Sequence, residues 1–76
     1  MKYMHNRLKE LRLKQGLTQE QLAELSGVSR PTISYIETDS LDNIESKTML
    51  KLAIALNCDI GDIFFKEKVV LTQQED

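Results

Sequence analysis

A chain of 76 residues with 41% hydrophobic and 29% charged side chains suits one domain with a small core, and is too apolar to be disordered. A formal net charge of −2 excludes a uniformly basic surface, and a lone cysteine, Cys58, excludes an intramolecular disulfide and a cysteine-cluster zinc site. No apolar run approaches the roughly 18 residues of a membrane span, and the opening MKYMHNRLKELR lacks the apolar stretch of a signal peptide, so a cytoplasmic protein without membrane contact is expected.

The predicted elements begin with a helix from about Asn6 to Gln15. Asn6 serves as N-cap, Leu8 and Leu11, with Met4, form an apolar stripe, and Gly16 stops the helix. His5, without a second histidine or paired cysteine, reads as a surface residue, and no metal or cofactor is expected. A second helix starts after Thr18, which with Gln21 has the capping-box pattern, and it ends at Ser26-Gly27. Leu22, Ala23 and Leu25 are its expected buried face.

The third helix is capped by Ser29 and runs to about Thr38, with Pro31 in the first turn, where a missing amide costs nothing. Ile33 and Ile36 face inward and Val28 packs in the turn, which leaves Arg30, Pro31, Ser34 and Tyr35 outward. Residues 39–45 form a polar loop anchored by Ile44. A fourth helix follows from about Ser46, with Met49, Leu50, Leu52, Ala53 and Leu56 spaced for burial. A short fifth helix, Ile60 to Phe64, is capped by Asp59. Cys58, at the end of helix four, is expected to be a structural thiol. Val69, Val70 and Leu71 favour a short strand in the tail, and the chain end is expected to fray.

Charge is polarised along the chain. Residues 1–37 carry six cations against four anions, and residues 38–76 four cations against eight anions. Such a chain presents a basic face despite an acidic total, unless the charges are scattered over solvated helix faces. The third helix has what a base-reading helix needs: one face to pack on a scaffold and another to meet base edges or phosphates. Arg30 near its start can bond guanine bidentately, a contact of about 1–3 kcal/mol in discrimination. Ser29 and Thr32 at the helix N-terminus can donate to phosphate. Pro31 offers a flat apolar surface to a thymine methyl. Gln19, at the start of helix two, either bonds phosphate or braces a reading side chain. Ala23 and Gly27 complete the pattern: Ala23 allows close helix approach, and Gly27 supplies a left-handed turn between the helices.

The stretches LKELRLKQGLTQEQLAELSGVSRPTISYIE and MLKLAIALNCDIGDIF resemble the Cro/repressor type of helix-turn-helix protein, the group that includes lambdoid phage repressors. The resemblance covers roughly Asn6 to Phe65 and implies an all-α, five-helix, lambda-repressor-like DNA-binding domain in residues 6–65, with a tail over 66–76. It implies a transcriptional regulator, such as a repressor, that binds operator DNA as a symmetric homodimer. By position, Gln19, Ser29, Arg30, Pro31, Thr32 and Tyr35 occupy DNA-facing places. Arg12 and Glu37 occupy positions that form an ion pair in many relatives. Such a pair, if buried, costs about 3–5 kcal/mol to break by removing one partner; if exposed it is worth under about 1 kcal/mol.

Two departures bear on affinity. The segment after Glu37, TDSLDNIES, lacks the Gly, Pro and cations that relatives place against the DNA backbone. Asp39 and Asp42 repel phosphate there, and Ser40 and Asn43 are the neutral donors. Tyr35 replaces a longer polar residue, so either its hydroxyl meets DNA or its ring packs. Dimerisation offsets weak single-module binding through a second half-site, and the apolar fifth helix and the VVL segment are the candidate dimer surface, with core packing as the alternative. A protein-interaction module, binding a regulatory protein partner, is the competing function. An enzyme is disfavoured, because no nucleophile-base pair, metal cluster or phosphate loop is visible.

Overall fold

The computed structural model describes residues 4–40 and 43–66. Their elements, in chain order, are β1 (Met4–Asn6), α1 (Leu8–Lys14), α2 (Gln19–Ser26), α3 (Arg30–Glu37), α4 (Ser46–Leu56), α5 (Ile60–Ile63) and β2 (Phe64–Lys66). The fold is an all-α assembly of five helices with one small antiparallel strand pair, in which Met4 faces Lys66, His5 faces Phe65 and Asn6 faces Phe64.

The helix boundaries follow from local chemistry. Thr18 accepts the amide of Gln21 at 3.0 Å while the Gln21 side chain accepts the amide of Thr18 at 2.8 Å, so two orphan donors at the start of α2 are satisfied reciprocally. Gly27 closes α2 at φ 77°, a conformation that costs glycine no Cβ clash. Two residues later Ser29 caps α3, accepting the amide of Thr32, and Pro31 lies within the first turn. Asn57 ends α4 in the same left-handed region, at φ 57°.

The core cluster unites all five helices: Leu8 from α1, Leu22 from α2, Ile33 and Ile36 from α3, Leu52, Ala53 and Leu56 from α4, and Ile63 from α5, joined by Val28 and Phe64. Two side-chain amides stitch helix ends together. Asn6 donates to the carbonyl of Ile36 at 3.0 Å and accepts the amide of Leu8, while Gln15 donates to the carbonyl of Leu56 at 2.9 Å. The Gln15 bond satisfies a C-terminal carbonyl that a helix leaves without an intrahelical partner, and Asn6 adds a second donor to the Ile36 carbonyl, which also accepts the Asp39 amide at 3.0 Å.

Several sequence expectations are corrected. Helix one starts at Leu8, not Asn6, because residues 4–6 pair with β2; Asn6 still caps, from one position further out. Phe64 leaves the fifth helix to begin β2. Leu50 is exposed because about 100° of rotation per residue carries it off the stripe of Met49, Leu52, Ala53 and Leu56. Leu25 is exposed for the same reason, one step off the face of Leu22 and Ala23. Ile63 and Phe64 are buried, so core packing takes the apolar residues considered for a dimer surface on helix five. The strand expected at Val69–Leu71, the fraying end and the charge of Asp42 lie outside the described residues.

Candidate nucleic-acid interface

Helix α3 divides cleanly into two faces. Ile33 and Ile36 are buried, at 0% and 1% exposure, against the scaffold. Arg30, Pro31 and Tyr35 are exposed, and Thr32 and Ser34 half-buried at the margin. The Tyr35 ring, 54% exposed, is not part of the core. At the N-terminus the Ser29 hydroxyl donates to Thr32 Oγ1 at 2.8 Å, so the outward hydroxyl proton of this pair belongs to Thr32.

The inner end of this surface is held by a charged network. Arg12 Nε donates to Glu37 Oε2 at 2.7 Å and Arg12 Nη2 to Glu37 Oε1 at 3.1 Å, a two-point pairing of α1 with the last residue of α3. The side chains are 8% and 2% exposed, so both charges are desolvated. Arg12 Nη1 also donates to the carbonyl of Leu17 at 2.7 Å, which ties the turn before α2 to the same guanidinium. Burial pushes the Glu37 carboxyl up, but the hydrogen bonds from Arg12 and Gln19 and the attraction of Arg12 and Lys9 outweigh it and leave the group below its ordinary value. The hydrogen bond to Glu37 raises Arg12 despite its burial. The pair is therefore ionised at neutral pH.

The network continues outward. Gln19 Nε2 donates to Glu37 Oε1 at 3.0 Å, and Arg30 Nη1 donates to Gln19 Oε1 at 3.1 Å. Four side chains, Arg12, Glu37, Gln19 and Arg30, thus form a line from the buried pair to the exposed start of α3. Along it lies an open groove of about 530 Å³, whose lining includes Arg12, Leu13, Leu17, Gln19 and Arg30. Sequence reasoning did not reveal the contributions of the Leu17 carbonyl or of Asn6 to Ile36. The first is a backbone group, and the second spans 30 residues with no spacing rule to flag it.

The loop after α3 offers little to an anion. The Ser40 amide donates to the carbonyl of Tyr35 at 2.8 Å and its hydroxyl shares a bond with that of Thr38. Asp39 stands at φ 61°, which places an acidic residue at the left-handed turn out of the helix. Just after α4, burial pushes the Cys58 thiol up, reinforced by Asp62 and Asp59, so the sulfur stays protonated at neutral pH. Among the described residues no helix is long and apolar enough to cross a membrane.

Residues 8–63 match the family model described as helix-turn-helix. Among relatives, an uncharacterized HTH-type transcriptional regulator of Archaeoglobus fulgidus is 38% identical over 71 residues, covering 93% of this chain and 99% of that one. Another from Methanocaldococcus jannaschii is 44% identical over 64 residues, covering 84% and 96% respectively. The crystal structure of the transcriptional regulator VanUg superposes with a TM-score of 0.66 at 25% identity, covering 83% of each chain. The packed α2–turn–α3 unit and these matches together establish that the chain belongs to the helix-turn-helix family of DNA-binding transcriptional regulators, of the Cro/repressor type.

Proposed function

We propose that the chain is a cytoplasmic, sequence-specific regulator that binds a palindromic operator as a homodimer, with α3 in the major groove. The observation that carries this reading is the division of α3: its inner face is held by core packing and the Arg12–Glu37 pair, and its outer face is left to the solvent. Arg30 reads a base edge, Pro31 and Tyr35 flank it, and Ser34 lies at the margin of the contact. Ser29 and Thr32 meet phosphate at the helix start. Gln19 joins the same surface from α2.

Cations are sparse on this surface and the following loop is acidic, so a single module binds weakly. A second copy, reading a half-site about 10 bp away, multiplies the affinity. Selection of bound fragments from a random DNA pool tests the whole reading. Enrichment of an inverted repeat with that spacing is expected; no enrichment at low salt overturns it. Sedimentation showing only monomer at tens of micromolar, with and without selected DNA, removes the dimer.

The second reading is an interaction module that docks a regulatory protein. The exposure of Leu50 and Ile54, one turn apart on α4, favours it. Salt separates the two: operator binding weakens steeply as salt rises, because phosphate contacts release counterions, whereas apolar docking does not.

A further inference from the structure

We propose that the outward faces of α4 and α2 are the two halves of a head-to-tail contact between copies of this chain. Lys47, Leu50, Lys51 and Ile54 of one copy dock on Glu20, Glu24 and Leu25 of the next. The contact is separate from the symmetric dimer, and the association itself does not depend on the operator reading. Helix α4, SKTMLKLAIAL, carries two lysines and no acid, and α2, QEQLAELS, two glutamates and no cation. All four charged side chains are exposed, and among the described residues none of them has an ion-pair partner. Ile54 and Leu25, at 69% and 61%, are the most exposed large apolar side chains among the described residues. Each helix thus leaves charges of one sign and an apolar side chain uncovered.

The two faces also match in pattern. With about 100° of rotation per residue, Lys47 and Lys51 form one row along α4, one turn apart, and Leu50 and Ile54 form the row beside it. On α2, Glu20 and Glu24 form one row, and Gln21 and Leu25 the next. Viewed from the helix N-terminus, the charged row lies clockwise of the apolar row on α4 and anticlockwise on α2. Faces of opposite row order meet row on row when the two helices run parallel, lysines over glutamates and Leu50 and Ile54 over Leu25. Other anions answer less of the α4 face. A phosphate backbone leaves Leu50 and Ile54 uncovered, and an anionic lipid surface repels a chain of net charge −2. Because one face meets a different face, every copy keeps an α2 face and an α4 face with which to extend the row.

A few side chains on each face fall well short of the roughly 800 Å² per partner of a stable interface, so the contact is weak between free copies. Held side by side on DNA with adjacent operators, the copies reach an effective concentration of about millimolar, and the contact becomes cooperative binding. The first experiment therefore uses concentrated protein without DNA. Amide resonances followed by NMR from micromolar to millimolar should shift on the outer faces of both α2 and α4, and less so as salt rises. Lys47→Glu with Lys51→Glu, and separately Glu20→Lys with Glu24→Lys, should each abolish these shifts. An equimolar mixture of the two reversed variants should restore them, since every face again meets the opposite charge. Ile54→Ser, which leaves all charges in place, should weaken association about 10-fold.

On a fragment carrying two adjacent copies of the selected operator, the wild type should fill both sites cooperatively. Each reversed variant should fill them independently, and the mixture should regain the cooperativity. Shifts confined to one of the two helices, or a mixture that restores nothing, overturn the inference. So does a wild-type spectrum that is constant with concentration, which leaves the α4 face to the regulatory protein of the second reading. Binding to vesicles of anionic lipid without self-association overturns it in favour of a membrane. A chain that selects no DNA, yet shows the shifts and their rescue, removes the operator reading and leaves this contact standing.

Discussion

Helices α3 and α4 are held in the same small fold by different means. The eight-residue α3 is capped by Ser29, tied to α1 by the Arg12–Glu37 pair, tied to β1 by Asn6 and braced from α2 by Gln19. The eleven-residue α4 starts without a side-chain cap, buries Leu52, Ala53 and Leu56, and receives one amide from Gln15 at its far end. Burial is non-directional: it fixes that a helix is attached, and leaves its rotation and axial position only loosely set. Hydrogen bonds and ion pairs have narrow geometries. The helix proposed to meet base edges is the one with directional ties, and the helix that completes the core has few.

The sharpest way to break this contrast is Arg12→Met. It removes the ion pair and strands the Glu37 carboxylate in a desolvated site, with an expected loss of about 3–5 kcal/mol in urea unfolding. A loss under about 1 kcal/mol would mean that the pair behaves as an exposed one. On the other side of the comparison, Leu52→Ala opens a cavity at a fully buried position and should cost about 2–5 kcal/mol. Measured at temperatures where both variants remain folded, Leu52→Ala should keep the base preference of the wild type and Arg12→Met should blur it. Identical preferences in the two variants would erase the distinction.

Arg30→Ala carries the next largest effect, about 1–3 kcal/mol of discrimination at one base pair, with stability within about 0.5 kcal/mol of wild type. A melting temperature that drops sharply would show Arg30 to be part of the scaffold. Ser29→Ala removes the α3 cap and should cost about 1 kcal/mol of stability. The corresponding change at Glu45, which makes no cap bond to α4, should cost less.

The smallest effect is a proton. The folded Glu37 carboxyl lies below its ordinary value, so the unfolded chain takes up the proton first as pH falls. The stabilisation from this group is full above the ordinary carboxyl range of about pH 4.3, and is lost as pH drops from there through the folded value. Glu37→Gln should flatten that part of the stability curve. An unchanged acid slope in the variant would assign the acid sensitivity to other carboxylates.

How far the sequence carries can be judged element by element. The capping pairs Thr18–Gln21 and Ser29–Thr32, the turn glycine and the inward pair Ile33 and Ile36 are local, with contacts three or four residues apart, and each is readable from spacing alone. The strand pair was not: Met4–Asn6 and Phe64–Lys66 are three residues each, too short to show alternation, and each is a strand only because the other lies beside it. Leu25 and Leu50 were misjudged because hydrophobicity says that a residue suits a core, whereas one residue's rotation on the helix decides whether it reaches it. At the interface, the sequence marked Gln19 and Arg30 as outward candidates. It left open whether Gln19 bonds a phosphate or braces a side chain, since both use the same amide.

By itself, then, the sequence determined the five-helix framework, the two-helix reading unit and the family. The first two depend on local propensity, capping and a short-range hydrophobic period, and the family on the resemblance carried by the two stretches around them. Tertiary structure decided the strand pair, the exposed faces of α2 and α4, and above all the line from Arg12 through Glu37 and Gln19 to Arg30. That line joins residues up to 25 positions apart, and its chemistry depends on desolvation and on which atom of an amide faces a carboxylate. Neither is a property of any residue alone; both arise only when the folded chain brings the groups together.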